Sequence, residues 1–163
     1  MQCDYQVSNF RGGEVTLMDG AGHTLVVPLE VGDFAISGIT PTNTEMAVYK
    51  SRGRTVAVKQ TNDVEPSISF SAMLSRMTSL TKTEVLDFVR FTGYYATNQA
   101  VSSICNDGKL LDIKWALETE EGTEYIIARA VGITSIDTGD GDPNSIKFSA
   151  TAYNPAVEFY GAT

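Results

Sequence analysis

The sequence is poor in the side chains that most often carry site chemistry: 163 residues include two cysteines, one histidine and one tryptophan. Cys3 and Cys105 lie far apart and in no metal-ligand spacing, which argues against a disulfide framework and against a zinc site. Two inert thiols in a reducing compartment are expected. Basic residues are scarce as well, 12 Lys and Arg against 20 Asp and Glu, for a formal charge of -8. That balance argues against a general phosphate-backbone binder, because such binding depends on Lys and Arg displacing counterions, and leaves room only for a local basic patch. The chain has no stretch approaching the ~18 apolar residues of a membrane-spanning helix. Its first residues, Met1-Gln2-Cys3-Asp4-Tyr5-Gln6, lack the basic flank and apolar core of a secretory signal, so a soluble protein that is not exported is expected.

What the chain does contain is apolar material, 42% hydrophobic residues against 20% charged. That is too much apolar surface and too little charge for a disordered segment, and the length suits a single domain spanning 1–163. Glu14 to Met18 and Thr24 to Leu29 are short Val- and Leu-rich runs around Asp19-Gly20-Ala21-Gly22-His23, which predicts a hairpin. Pro28 cannot donate to a ladder and places the end of the second strand at an edge or bulge. From Glu30 to Thr44 there is no sustained period, and mostly loop is expected. Met46 to Lys50 and Thr55 to Gln60 flank Ser51-Arg52-Gly53-Arg54 as a second hairpin, which carries Lys50, Arg52, Arg54 and Lys59, four of the twelve basic residues.

The alternation from Ser67 is regular: Ile68, Phe70, Ala72 and Leu74 fall on one face, Ser67, Ser69, Ser71 and Ser75 on the other, as in a half-buried strand. A helix over about 82–92 follows, with Thr81 as N-cap, Glu84 closing a capping box and Gly93 as the stop. Val85, Leu86, Phe88 and Val89 make its apolar stripe. After a loop from Tyr94 to about Lys109, with Asn106-Asp107-Gly108 as a turn, Ile113, Trp115 and Leu117 alternate with polar residues. A turn at Glu120-Glu121-Gly122 leads into Tyr125 to Val131, extending toward Ile136, as a third hairpin. Beyond the Asp137 to Pro143 turn, Ile146, Phe148, Ala150 and Ala152 alternate with Ser145, Lys147, Ser149 and Thr151, and Val157 to Tyr160 forms one last short strand. About eight strands in hairpin order with one helix predict a mostly β protein, an antiparallel β-sandwich or flattened barrel.

The candidate chemistry is thin. His23 lies in a glycine-bracketed turn with no nucleophile beside it to activate. Gly20-Ala21-Gly22 begins a nucleotide-binding glycine pattern, but no helix follows to present phosphate-cradling amides. Asp137-Thr138-Gly139-Asp140-Gly141-Asp142-Pro143-Asn144 offers oxygen ligands for calcium, yet counted from Asp140 an EF-hand needs glycine where Ser145 stands and glutamate where Thr151 stands. An ordinary Asp-Gly turn is the expectation there. Glu118, Glu120, Glu121 and Glu124 cluster at a hairpin tip, where a solvated acidic turn is the commoner arrangement than a glycosidase pair. Phe70, Phe88, Trp115 and Phe148 all fall on apolar faces and read as core, not as a base-stacking platform. No enzyme is expected, and no cofactor or metal.

Size, an acidic β-rich chain, one central helix, and the segments Glu65-Pro66-Ser67-Ile68-Ser69-Phe70-Ser71-Ala72 and Ser145-Ile146-Lys147-Phe148-Ser149-Ala150 resemble the tube-forming proteins of bacteriophage tails, relatives of secretion-needle tube proteins. The resemblance implies a subunit that assembles with itself into six-fold rings. Stacked rings would form the tail tube of a virion, built in the host bacterial cytoplasm alongside other tail proteins, with no membrane partner. Genomic DNA would pass through without specific binding, which suits an acidic subunit. The family brings no catalytic residues. The basic hairpin, with Lys50, Arg52, Arg54 and Lys59, is expected to contact the neighbouring ring, with the acidic turns at Glu118 to Glu124 and Asp137 to Asp142 as candidate receivers; a hairpin made basic for solubility is the plainer alternative. Two other functions fit the same pattern: a monomeric β-sandwich binding module for a small ligand or protein, and a head-to-tail connector or tail terminator.

Overall fold

The structure, a computed structural model, describes residues 13–74, 76–96, 100, 109–119, 122–141 and 144–161. Cys3, Cys105, the 106–108 turn and the 120–121 tip of the acidic hairpin lie outside the described residues. Ten strands and one α-helix are described: β1 Glu14–Met18, β2 Thr24–Val26, β3 Ala35–Ser37, β4 Thr44–Ser51, β5 Arg54–Asp63, β6 Ser67–Met73, α1 Val85–Arg90, β7 Leu110–Thr119, β8 Gly122–Thr138, β9 Ser145–Ala152 and β10 Glu158–Tyr160. Eight strands form one antiparallel sheet in the order β2-β1-β7-β8-β9-β6-β3, with β10 also on β8; β4 and β5 form a separate two-stranded sheet. The mostly β, antiparallel fold with a single helix is the one the strand pattern predicts.

The main sheet curls until its two ends approach. Val27 N–H still donates to Val15 O, but Pro28 has no N–H and Leu29 takes a left-handed backbone, φ 54°, so the chain leaves β1 there. It then meets the far edge of the sheet: Met73 N–H donates to Leu29 O and Val31 N–H to Ser71 O, both at 3.0 Å, around an isolated Glu30–Ala72 bridge. This seam draws the ends of the sheet together without closing a barrel. The interior holds Val15, Leu17, Ile68, Phe70, Ile113, Val131, Ile146 and Phe148 under a lid of Val85, Phe88 and Val89 from α1. Stacked rings cross it from β7 to β9: Trp115 on Phe34 at 4.9 Å, Phe34 on Phe70 at 6.4 Å, and Phe70 on Phe148, its cross-strand partner, at 5.0 Å.

The long β8 pairs with β7, β9 and β10 and is irregular along its length. Its pairing with β7 shifts register between Leu111 and Ile113, opposite Ala130, which has φ 53°. Asp112 fixes this irregularity, accepting from Ala130 N–H and from Arg129 Nη1, each at 3.1 Å. Arg129 Nε also donates to Glu158 at 2.9 Å on β10, a bond that pushes the guanidinium pKa further up.

Three local expectations are corrected. The Glu30–Thr44 stretch contains β3, which gains its order by pairing with β6 from outside its own period. The helix is shorter than 82–92, starting after Glu84, whose side chain makes no cap, so there is no Thr81 capping box. Ser79 Oγ accepts from Thr81 and Lys82 N–H at 3.3 and 3.0 Å, which orders the turn before the helix without capping it. Asp87 occupies a buried helix position, while Leu86 is only partly covered. Its carboxylate accepts from Ser79 N–H at 2.9 Å and from Thr92 Oγ1 at 3.0 Å, tying both ends of the helix together. Phe91, left-handed at φ 57°, ends the helix; Gly93 follows in the same region, and it must be glycine because a Cβ there would run into the Asp87 carboxylate and the Ser79 carbonyl.

Candidate assembly interface

The β4–β5 hairpin stands apart from the main sheet as a two-stranded ribbon of its own. Its turn is Arg52-Gly53, with φ 48° and 79°, the two positive values of a type I′ turn whose twist matches the flanking strands. The register runs from Ser51–Arg54 through Val48–Val58 to Thr44–Asp63, with irregularities between Tyr49 and Lys50 and between Thr44 and Met46. At a rise of about 3.3 Å per residue, eight residues of β4 make an arm ~26 Å long. The base is held by Val64 N–H donating to Asn43 O at 3.1 Å and by Thr61 Oγ1 donating to Glu45 O at 3.3 Å. No strand of the main sheet bonds to either arm among the described residues.

Alternation sorts the arms into two faces. Ala47, Tyr49, Ala57 and Lys59 share one, where Lys59 Nζ lies 5.9 Å from the Tyr49 ring centre. Met46, Val48, Val56 and Val58 share the other, and they are 49%, 53%, 64% and 57% exposed. An isolated hairpin is marginal in water, and an apolar face left open on both strands offers no burial to hold it. Among the described residues no element covers this ribbon.

Of the four cationic residues expected at an interface, the structure gathers Lys50, Arg52 and Arg54 at the tip and sets Lys59 partway down the arm. Among the described residues, none of the four forms an ion pair. Between Met46 and Gln60 there are four bases and no acid, so the other eight bases stand against all twenty acids in the remainder of the chain. The apolar face is also written in the alternation of both arms.

The remaining sequence candidates have structural work. His23 Nδ1 lies 2.9 Å from Asp19 Oδ2, a buried carboxylate that also accepts from Ala21 and His23 N–H at 3.0 and 2.8 Å and so organises the β1–β2 turn. Tyr95 meets His23 edge-on, and burial raises its phenol pKa. In the Asp137–Asn144 turn, Gly141 N–H donates to Asn144 Oδ1, and no group of His, Cys, Asp and Glu suited to a metal occurs among the described residues. A groove of about 620 Å³ runs between the end of α1 and β8, lined by Val89, Arg90, Lys109, Leu110, Ile133 and Tyr153.

No protein-family profile matches the sequence, and no curated protein matches it. Solved structures do share the fold along most of the chain. The tube-terminating cap of the anti-feeding prophage aligns with a TM-score of 0.59 at 15% identity, over 99% of this chain and 95% of that one. The sheath/tube terminator of the extracellular contractile injection system PVC gives 0.59 at 14%, over 98% and 100%. The SPP1 tail tube gives 0.57 at 9%, over 92% and 77%. The fold is therefore that of tail tube, terminator and cap subunits.

Proposed function

We propose that this chain is a structural subunit of a phage-type tail and not an enzyme: it assembles with itself into rings, six-fold by the family resemblance, that stack into a tail tube through which DNA leaves the particle. The observation that carries this reading is the free-standing β4–β5 hairpin, whose apolar face stays open in the single subunit. Nothing among the described residues covers it, and a homopolymer supplies a cover at every position. The shared fold with tube and terminator proteins supports the same reading. Lys50, Arg52, Arg54 and Lys59 are the proposed contacts to the neighbouring ring, since rings of net charge -8 per subunit repel and need a complementary element. The same acidity leaves the bore non-adhesive to DNA where carboxylates face it. The subunit would be built in the host cytoplasm, join other tail proteins, and reside in the virion tail.

A tail terminator or cap is the second reading, favoured by the equal likeness to such subunits. Electron microscopy of the purified protein separates them. Tubes support the tube subunit, isolated rings the terminator, and dispersed monomers would return the chain to a binding module that uses the α1–β8 groove.

A further inference from the structure

The outer surface carries a second apolar patch that no described part of the chain covers, and it lies on the seam where the sheet's two ends meet. Leu29 and Val31 point outward there, because Glu30 between them pairs with the buried Ala72. Met73 lies beside Leu29 through the Met73 N–H to Leu29 O bond, and Val26 stands on the outer face of β2 just before. Leu29 is the most telling of the four. It holds a left-handed φ of 54°, a conformation unfavourable for a leucine, and yet is 58% exposed, so its side chain gains little within the subunit.

We propose that this seam receives the hairpin of a second copy: Met46, Val48, Val56 and Val58 of one subunit lie on Val26, Leu29, Val31 and Met73 of the next. The proposal rests on the reading of the chain as an assembling subunit and names the surface that receives its hairpin. Both patches are exposed β surfaces of four side chains, so each can cover the other. The charges bear on the pairing as well: on the outer face of the seam the Asp33 carboxylate accepts from Ser71 N–H and Oγ, and Met46 to Gln60 brings four bases and no acid. Lys147, across from Ser71, is matched by Asp137, its partner on β8. Two hairpins facing each other would instead oppose like charges, a juxtaposition that disfavours symmetric pairing.

The placement also gives the contact a direction. The hairpin leaves the body beside the Ser67 end of β6, and the seam sits at the Met73 end, ~20 Å away at the rise of a strand. A contact between two different patches is head-to-tail and repeats, as a growing assembly requires, whereas a self-complementary contact stops at two.

The test uses two double variants of the full chain, Val48→Asp with Val58→Asp on the hairpin and Leu29→Asp with Met73→Asp on the seam, each checked for folding by circular dichroism and melting. All four sites are exposed; if either Asp pair melts early, the Ser versions replace it. Mass is measured by sedimentation for wild type, each variant alone, and a 1:1 mixture. The expected result is that each variant alone stops at a smaller species than wild type, and that the mixture forms a species of twice that mass and no larger, since one intact hairpin meets one intact seam. Variants that assemble like wild type would overturn the proposal. So would two blocked variants whose mixture gives no new species, because the hairpin would then dock elsewhere. Wild-type protein that stays monomeric at every concentration would instead remove the assembly reading itself.

Discussion

Two hairpins of this chain obey the same alternation and meet opposite fates. In β7–β8 the apolar positions Ile113, Leu117, Ala128 and Val131 are buried, and further strands flank the pair, β1 on one side and β9 and β10 on the other. In β4–β5 the corresponding apolar positions face solvent and no strand flanks either arm among the described residues. Local sequence decides that both are hairpins; it does not decide what covers them. The first is covered within one subunit, and the second has an apolar pattern that nothing among the described residues covers. Stability and assembly should therefore map to different halves of the molecule, and substitutions can be arranged to break or sharpen that division.

The largest effect belongs to the body. Phe148→Ala removes a fully buried ring stacked at 5.0 Å on Phe70 and should cost about 3–5 kcal/mol in urea unfolding of the dispersed subunit. Val58→Ala, on the open face of the hairpin, should change the same measurement by less than about 0.5 kcal/mol. Equal losses from the two would show that the hairpin is covered within the subunit after all.

Glycine tests the division a second way, since both halves contain one at positive φ. Gly93→Ala combines left-handed strain at φ 57° with a clash against Asp87 and Ser79, and should destabilise the whole subunit by about 3 kcal/mol. A melting temperature equal to wild type would mean that the Asp87 knot yields more easily than its burial implies.

Much of this arrangement was legible from the sequence. Strict alternation in Ser67–Met73 and Ser145–Ala152 placed Phe70 and Phe148 inside, and their similar patterns turn out to belong to paired strands, Phe70 opposite Phe148. The hairpins were readable for the same reason, as periodicity and turn chemistry are local. What escaped depends on distant partners. β3 has too short a period to announce itself and is ordered by β6. Asp87 interrupts an apolar helix stripe because its partners, Ser79 and Thr92, lie outside the helix. The seam at Leu29 and Met73 joins segments more than forty positions apart, so no window of sequence contains it. At the interface, the bases of Lys50 to Lys59 stood out by sign, while Met46, Val48, Val56 and Val58 looked like any half-buried strand until the structure left them uncovered.

Within the hairpin, Gly53→Ala should act locally. The site has φ 79° and open space around it, so the cost is backbone strain alone, about 1 kcal/mol, or roughly fivefold faster amide exchange confined to β4 and β5. Global unfolding should stay near wild type. A cooperative drop across the body would couple the two halves and blur the comparison.

The smallest effect on the subunit should accompany the largest on assembly. Arg52→Glu with Arg54→Glu replaces two bases at the turn with acids, which cancels the four positive charges of the hairpin. Neither residue has an ion pair to lose among the described residues, so circular dichroism should be unchanged and unfolding should shift by less than about 0.5 kcal/mol. Tube growth should nevertheless stop. A single surface pair contributes only ~0–1 kcal/mol, but the same contact repeated around a ring acts as one, and the substitutions leave a hairpin with no net positive charge to offer an acidic neighbour. Raising the salt should slow wild-type growth in the same sense, because exposed charges are screened over about 10 Å at 0.1 M. Arg52→Lys with Arg54→Lys keeps the sign and should keep assembling. Normal tubes from the Glu pair would assign docking to the apolar face alone and reduce the basic tip to a solubility device.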